Sequence, residues 1–133
     1  MRTLSKPATT IFNKIIESIP EGKSHTKIDN CNKSFMPLSV EKINTYDMGT
    51  EYSLCHYFEQ NGDLCQDPEM TFLRRENGSV CPMSFQMAIP PIYERSLFYD
   101  YNDGDWKINR KKQSEHTTFA NKWLRNIKLQ QNL

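Results

Sequence analysis

The sequence predicts an α+β fold: an antiparallel meander sheet of about five to six strands, packed with and lying between an N-terminal and a C-terminal amphipathic helix. Three observations predict it. Apolar residues recur at helical spacing near the two ends, over Thr9 to Ile19 and Ser114 to Gln130. Between them the pattern changes to short alternating runs rich in aromatic and β-branched residues. Asn-Gly and Asp-Gly turns separate several of those runs and are too short for a crossover, so the strands they join must be antiparallel.

Composition fits one folded domain over residues 1–133. Hydrophobic residues at 37% and aromatic residues at 11% can build a core, which argues against disorder. Residues 1–8 and 131–133 are expected to fray, and residues 21–34 to form a loop.

In the first helix Phe12, Ile15, Ile16 and Ile19 share one face, and Pro7 and Pro20 bracket the run. Thr9 or Thr10 is the expected N-cap, since its hydroxyl can accept a bond from an unpaired backbone N–H. The helix stops at Pro20-Glu21-Gly22, and Lys23 to Ser34 is polar and aperiodic. Phe35 to Ile43 alternates Met36, Leu38 and Val40 against Ser39 and Glu41, with Pro37 implying a late start or a sheet edge.

Tyr52 to Phe58 is a second strand, with Tyr52, Leu54, His56 and Phe58 on one face, and Asn61-Gly62 turns the chain back. Pro68 is expected to delay the next strand to Glu69 to Arg75. Asn77-Gly78 then closes a hairpin onto Val80 to Ile89, which Pro90-Pro91 ends. Ser96 to Tyr101 and Trp106 to Ile108 are the last strands, joined by Asn102-Asp103-Gly104-Asp105. In the final helix Phe119, Ala120, Trp123, Leu124 and Ile127 fall in one arc, opposite Asn121, Lys122, Arg125, Asn126 and Lys128. Trp123, Phe119 and Ile127 are expected to pack on the sheet.

Lys plus Arg total 17 against 16 Asp plus Glu, so no global basic excess marks an obligate nucleic-acid binder. No window approaches the roughly eighteen apolar residues of a membrane span, and Met1 to Ser18 lacks the apolar run of a signal peptide. A cytoplasmic setting without a membrane partner is expected. Cys31, Cys55, Cys65 and Cys81 form no CxxC pair and are expected to be free thiols.

Two regions carry candidate chemistry. Around the turn that follows Tyr57, the residues His56, Glu59, Asn61, Asp63, Asp67 and Glu69 form the densest polar stretch, a candidate surface or ligand site. Converging carboxylates there could hold a hard cation or act as an acid and base pair, although the spacing does not match an EF-hand. The bland alternative is turn chemistry and solvation. His56 and His116 could meet across the core, and an imidazole beside Cys55 or Cys65 could activate a thiol. The bland alternative is that each ring bonds to backbone.

The second region is basic. Arg110, Lys111 and Lys112, followed by Lys122, Arg125 and Lys128, could contact phosphates or serve only to solvate a helix. No recognisable catalytic motif is present, so the reading leans away from an enzyme. No cofactor is implied and no metal site is assigned.

Three blocks carry a resemblance: Phe35-Met36-Pro37-Leu38-Ser39-Val40-Glu41, then His56-Tyr57-Phe58-Glu59-Gln60-Asn61-Gly62-Asp63-Leu64 with Asp67-Pro68-Glu69-Met70, and finally Phe119-Ala120-Asn121-Lys122-Trp123-Leu124-Arg125-Asn126-Ile127-Lys128. Over roughly Phe35 to Gln130 the chain resembles an uncharacterised family, a domain of unknown function carried by gut bacteria, often within conjugative or other mobile elements. The resemblance implies a bacterial cytoplasmic setting and an accessory role in an element's life cycle, and no reaction. The resulting expectation is a non-enzymatic binding or accessory module that presents its sheet and the turn after Tyr57 to a protein partner. Its rivals are a weak nucleic-acid binder using the basic helix face and a metal-dependent enzyme using residues 56–69.

Overall fold

The computed structural model describes residues 1–32 and 34–133. Helix α1 (Lys6–Glu17) is followed by six strands, β1 (His25–Ile28), β2 (Leu38–Tyr46), β3 (Gly49–Gln60), β4 (Asp63–Arg74), β5 (Val80–Met87) and β6 (Ile92–Arg95). The short strands β7 (Leu97–Asp100) and β8 (Asp105–Ile108) lead into the long helix α2 (Arg110–Gln130). Strands β1 to β6 form one antiparallel meander in chain order, and β7 and β8 pair with each other in a separate two-stranded sheet.

The register explains the layering. Thr26, Val40, Leu54, Met70, Phe85 and Glu94 are successive partners from β1 to β6, and the middle of that row is apolar. The next row on the same face adds Tyr52 and Phe72. Phe12 of α1 meets Phe72 at 5.2 Å between ring centroids and Tyr52 at 6.1 Å, while Leu124 and Ile127 of α2 join the same fully buried cluster. Both helices therefore share one face, and the sheet does not lie between them as expected. On the other face Leu73, Cys81 and Met83 make an apolar patch beside polar rows, too small to bury a second helix's stripe.

Strands β7 and β8 fold across that other face instead of extending the meander. Leu97 packs on Leu73, Cys81 and Met83, with Tyr46, Met48, Trp106 and Ile108 around them in a small second core. Because successive strand residues point to opposite faces, Phe72 can serve the large core and Leu73 the small one.

Several local expectations need correction. Helix α1 is capped by Ser5, whose hydroxyl accepts from the Ala8 N–H at 3.3 Å, not by Thr9 or Thr10. Pro7 sits in the first turn, where its missing N–H leaves nothing unpaired, so the helix starts before the proline rather than after it. Helix α2 likewise starts earlier than Ser114, with Asn109 accepting from the Lys112 N–H. The loop expected at residues 21–34 contains β1, an edge strand in which only Ile28 is buried and whose pairing comes from β2. Residue 33 of that loop lies outside the described residues. Strand β6 was not expected, since Pro90-Pro91 reads as an ending.

Pro68 does not delay β4, which begins at Asp63 and passes through Pro68 where the register against β3 shifts. A bulge tolerates the absent N–H. The Asn61-Gly62 turn forms as expected, with positive φ at both residues. Gly49 opens β3 so close to Arg74 that any side chain there would collide with the Arg74 carbonyl.

The ends carry contacts. Leu4 is buried and its N–H donates to the Val80 carbonyl, while the Arg2 N–H donates to Gln113 Oε1 at 2.8 Å. Gln131 is fully buried, accepting from the Asn30 N–H at 2.7 Å and donating to the Met36 carbonyl at 3.1 Å. Trp123 and Ile127 are buried as expected, but Phe119 is 39% exposed and meets Phe85 at 5.2 Å and Trp123 at 6.1 Å between ring centroids.

Candidate functional site: the open face of the sheet

Two register rows cross the face that the helices leave free. One runs His25, Glu41, Ser53, Thr71, Ser84, Arg95, and the other Lys27, Ser39, Cys55, Glu69, Gln86, Tyr93. These are the polar halves of the same alternations whose apolar halves build the large core. The β7–β8 hairpin overhangs one end of the rows and turns a flat surface into a groove of about 390 Å³. Its floor includes Glu51, Glu69, Thr71 and Ser84, and its walls include Tyr46, Tyr93, Phe98, Tyr99 and Tyr101. A smaller hollow of about 230 Å³ continues the face past Glu69 toward Ser53, Cys55 and Tyr57.

Hydrogen bonds hold the floor. Ser53 Oγ donates to Glu69 Oε2 at 2.8 Å, and the Thr71 and Ser84 hydroxyls lie 2.6 Å apart. Tyr46 OH donates to Glu51 Oε1 at 3.1 Å, with the Asn44 amide alongside at 3.2 Å. Burial, then the Glu51 charge, pushes the Tyr46 phenol up to about 12. The wall is a chain of edge-to-face rings, Tyr101 on Tyr99 at 4.8 Å, Tyr99 on Trp106 at 5.6 Å, and Trp106 on Tyr46 at 5.1 Å. Arg95 lies over the Phe98 ring, 4.0 Å from its centroid.

Of the residues singled out from the sequence between 56 and 69, only Glu69 enters this groove. Glu59, Asn61 and Asp63 are exposed toward the tip of the β3–β4 hairpin, and Asp67 is exposed farther along β4. His56 faces α2, where the Trp123 Nε1–H points at its Nδ1 from 3.4 Å. Burial lowers the His56 pKa against the opposing pull of Asp67.

Among the described residues no group of three or more His, Cys, Asp or Glu side chains is placed to hold a metal ion. Cys55 and His56 are adjacent in a strand and so point to opposite faces. Burial pushes the Cys55 thiol up to about 12, which holds it protonated near neutrality. All four cysteines are free thiols. His116 does not meet His56. Its Nε2 lies 3.0 Å from Glu94 Oε1 and its ring stacks on Phe85.

The basic residues divide. Lys112 is bound to Glu94 at 2.6 Å and approaches Glu115 at 3.8 Å. Arg110, Lys111, Lys122, Arg125 and Lys128 are exposed along α2. No helix among the described residues is long and apolar enough to cross a membrane.

The match to a family model covers residues 9–133, all but the first three residues of α1, the whole of α2 and every strand of the groove. The chain belongs to the family described as a domain of unknown function (DUF6908). No curated protein and no solved structure matches it. The groove of this DUF6908 chain escapes sequence reading because its floor comes from separate strands, each contributing an unremarkable residue. The available sign was polar alternation, in Glu51 and Ser53, Glu69 and Thr71, Ser84 and Gln86, and Tyr93 and Arg95.

Proposed function

We propose that this protein is a non-enzymatic accessory module of a bacterial mobile genetic element that acts in the cytoplasm and binds a protein partner. The resemblance carried by the block from His56 to Leu64 supports the bacterial and mobile-element setting, and the free thiols are consistent with a reducing compartment. The observation that carries the binding role is the groove on the open face: two polar rows cross all six strands without helix cover, beneath an aromatic overhang. Tyrosines supply large contact area at little cost in side-chain entropy, and hydroxyls and carboxylates supply orientation.

The occupant proposed is an extended segment of the partner, laid across the rows with alternate side chains entering the groove. The test is selection of a random-sequence peptide library on the native protein and on Gln86→Trp, which fills the groove from its floor. Peptides enriched on the native protein should bind with a Kd of about 1 to 100 μM, the scale of a transient interface, and should lose that binding on Gln86→Trp. Equal enrichment on both proteins, or none on either, would overturn the reading.

A further inference from the structure

The chemistry of the groove identifies what enters it. Glu51 and Glu69 lie on its floor, and their hydrogen-bonding partners are neutral: the Tyr46 phenol and Asn44 amide for Glu51, and the Ser53 hydroxyl for Glu69. The ion pairs among the described residues involve Asp103, Glu94 and Glu115, and neither floor carboxylate takes part. Two carboxylates without an ion-pair partner, both lining an open groove walled by aromatic rings, concentrate negative potential there. The raised Tyr46 phenol is consistent with that field.

The walls favour the same charge. Tyr46, Tyr93, Tyr99 and Tyr101 surround the groove, and aromatic faces attract cations through their quadrupoles. Phe98 already carries a cation in this way, the Arg95 guanidinium 4.0 Å from its ring centroid. Arg95 itself lines the groove, held on the Phe98 face and ion-paired with neither floor carboxylate.

We propose that the groove is a cation-recognition site and that its occupant is a basic peptide, inserting lysine or arginine side chains between the tyrosine walls, onto Glu51 and Glu69 separately. The inference rests on the protein-binding reading and gives it a substrate class. A neutral oligosaccharide could stack on the same rings but would leave both carboxylates without counter-charge. A nucleic acid would bring phosphates against them.

The test uses the full chain and titrates an acetylated, amidated peptide of alternating lysine and serine, the same peptide with norleucine for lysine, and cellohexaose. Trp106, packed behind the tyrosine wall, supplies the fluorescence readout. The lysine peptide should bind and the norleucine peptide should not. The isosteric double variant Glu51→Gln/Glu69→Gln should weaken the lysine peptide by roughly tenfold or more, the scale of losing a charge-assisted hydrogen bond. Thr71→Arg, which supplies a guanidinium from the floor itself, should do the same, so the conclusion does not rest on one variant folding.

Equal binding of both peptides, indifferent to the Glu→Gln changes, would overturn cation recognition while leaving the protein-binding reading in place. Binding of cellohexaose with no peptide binding would overturn both. If no probe binds, the cation inference fails, and the library selection alone decides the broader reading.

Discussion

On one side of the sheet Val40, Leu54 and Met70 lie fully buried beneath two helices; on the other, Ser53 and Ser84 are nearly as buried, at 5% and 8% exposure, with no helix above them. The first set gains by leaving water and needs no partners. The second loses hydration and is stable only because Ser84 is bonded to the Thr71 hydroxyl and Ser53 to Glu69. Burial alone therefore does not distinguish scaffold from site. The distinguishing property is whether the buried groups keep bonding capacity that a visitor could use, and Glu51 and Glu69, each with further lone pairs, keep it.

The contrast is broken most severely from the helix side. Trp123→Ala should destabilise by about 3 to 5 kcal/mol, the usual cost of emptying a large aromatic core site. Leu97→Ala, in the small core beneath the hairpin, should cost about 2 kcal/mol, at the low end for Leu→Ala, because a cluster this small with partly exposed neighbours can partly collapse. Chemical denaturation reads both. Hydrogen exchange should show that Leu97→Ala loosens β7 and β8 while β2 to β5 stay protected. A Trp123→Ala loss below about 1 kcal/mol would mean that α2 does not dock through this face.

The two faces differed equally in how legible they were. Ile15 and Ile16, or Trp123 and Ile127, announce a helix stripe within a few residues of chain, and Asn61-Gly62 and Asn77-Gly78 announce reversals because they tolerate positive φ. Local rules therefore recovered the fold class, both helices and most strands. They missed β1 and β6, whose short polar sequences take their strand character from a neighbour. They also missed that both helices choose one face, since that depends on comparing all six strands at once. The groove was least legible of all. Ser53, Thr71 and Ser84 become neighbours only through register, and the carboxylates adjacent in sequence between residues 59 and 69 end up on a hairpin that spreads them apart.

A smaller effect tests the junction of α2 with β3. Burial lowers the His56 pKa from its ordinary 6.5, with the Asp67 carboxylate pulling the other way. As pH falls below about 6.5 the unfolded chain takes up this proton more readily than the folded one, so the contribution is complete above that pH and lost as pH falls. His56→Gln keeps an acceptor for the Trp123 indole and removes the titration. Native stability should decline from pH 7.5 to pH 5.5 more steeply than that of His56→Gln, measured by urea midpoints. Parallel profiles would show that His56 titrates alike in both states. At lower pH Glu94, held below the usual carboxylate range by Lys112 and then His116, should add a second loss beneath about pH 4.5.

The smallest effect is expected from the outer surface of α2, and it asks whether the helix side is scaffold only. Lys122, Arg125 and Lys128 are exposed there, and Arg110 and Lys111 sit at the other end of the helix, with Lys111 and Lys128 about 26 Å apart along its axis at 1.5 Å per residue. Glu115 interrupts the stripe and Glu94 occupies Lys112. Charges so dispersed solvate a helix better than they grip a phosphate backbone. Lys122→Glu/Arg125→Glu should change stability by no more than about 0.5 kcal/mol and leave peptide binding in the groove untouched. Fluorescence anisotropy with duplex and single-stranded DNA should find affinities no tighter than roughly 10⁻⁴ to 10⁻⁶ M at physiological salt, the range of non-specific contact. Nanomolar affinity would break the comparison if it fell with salt by a log–log slope of about −0.7 to −0.9 per phosphate and vanished in the double variant. The functional surface would then be the outside of α2, and the open face would be the scaffold.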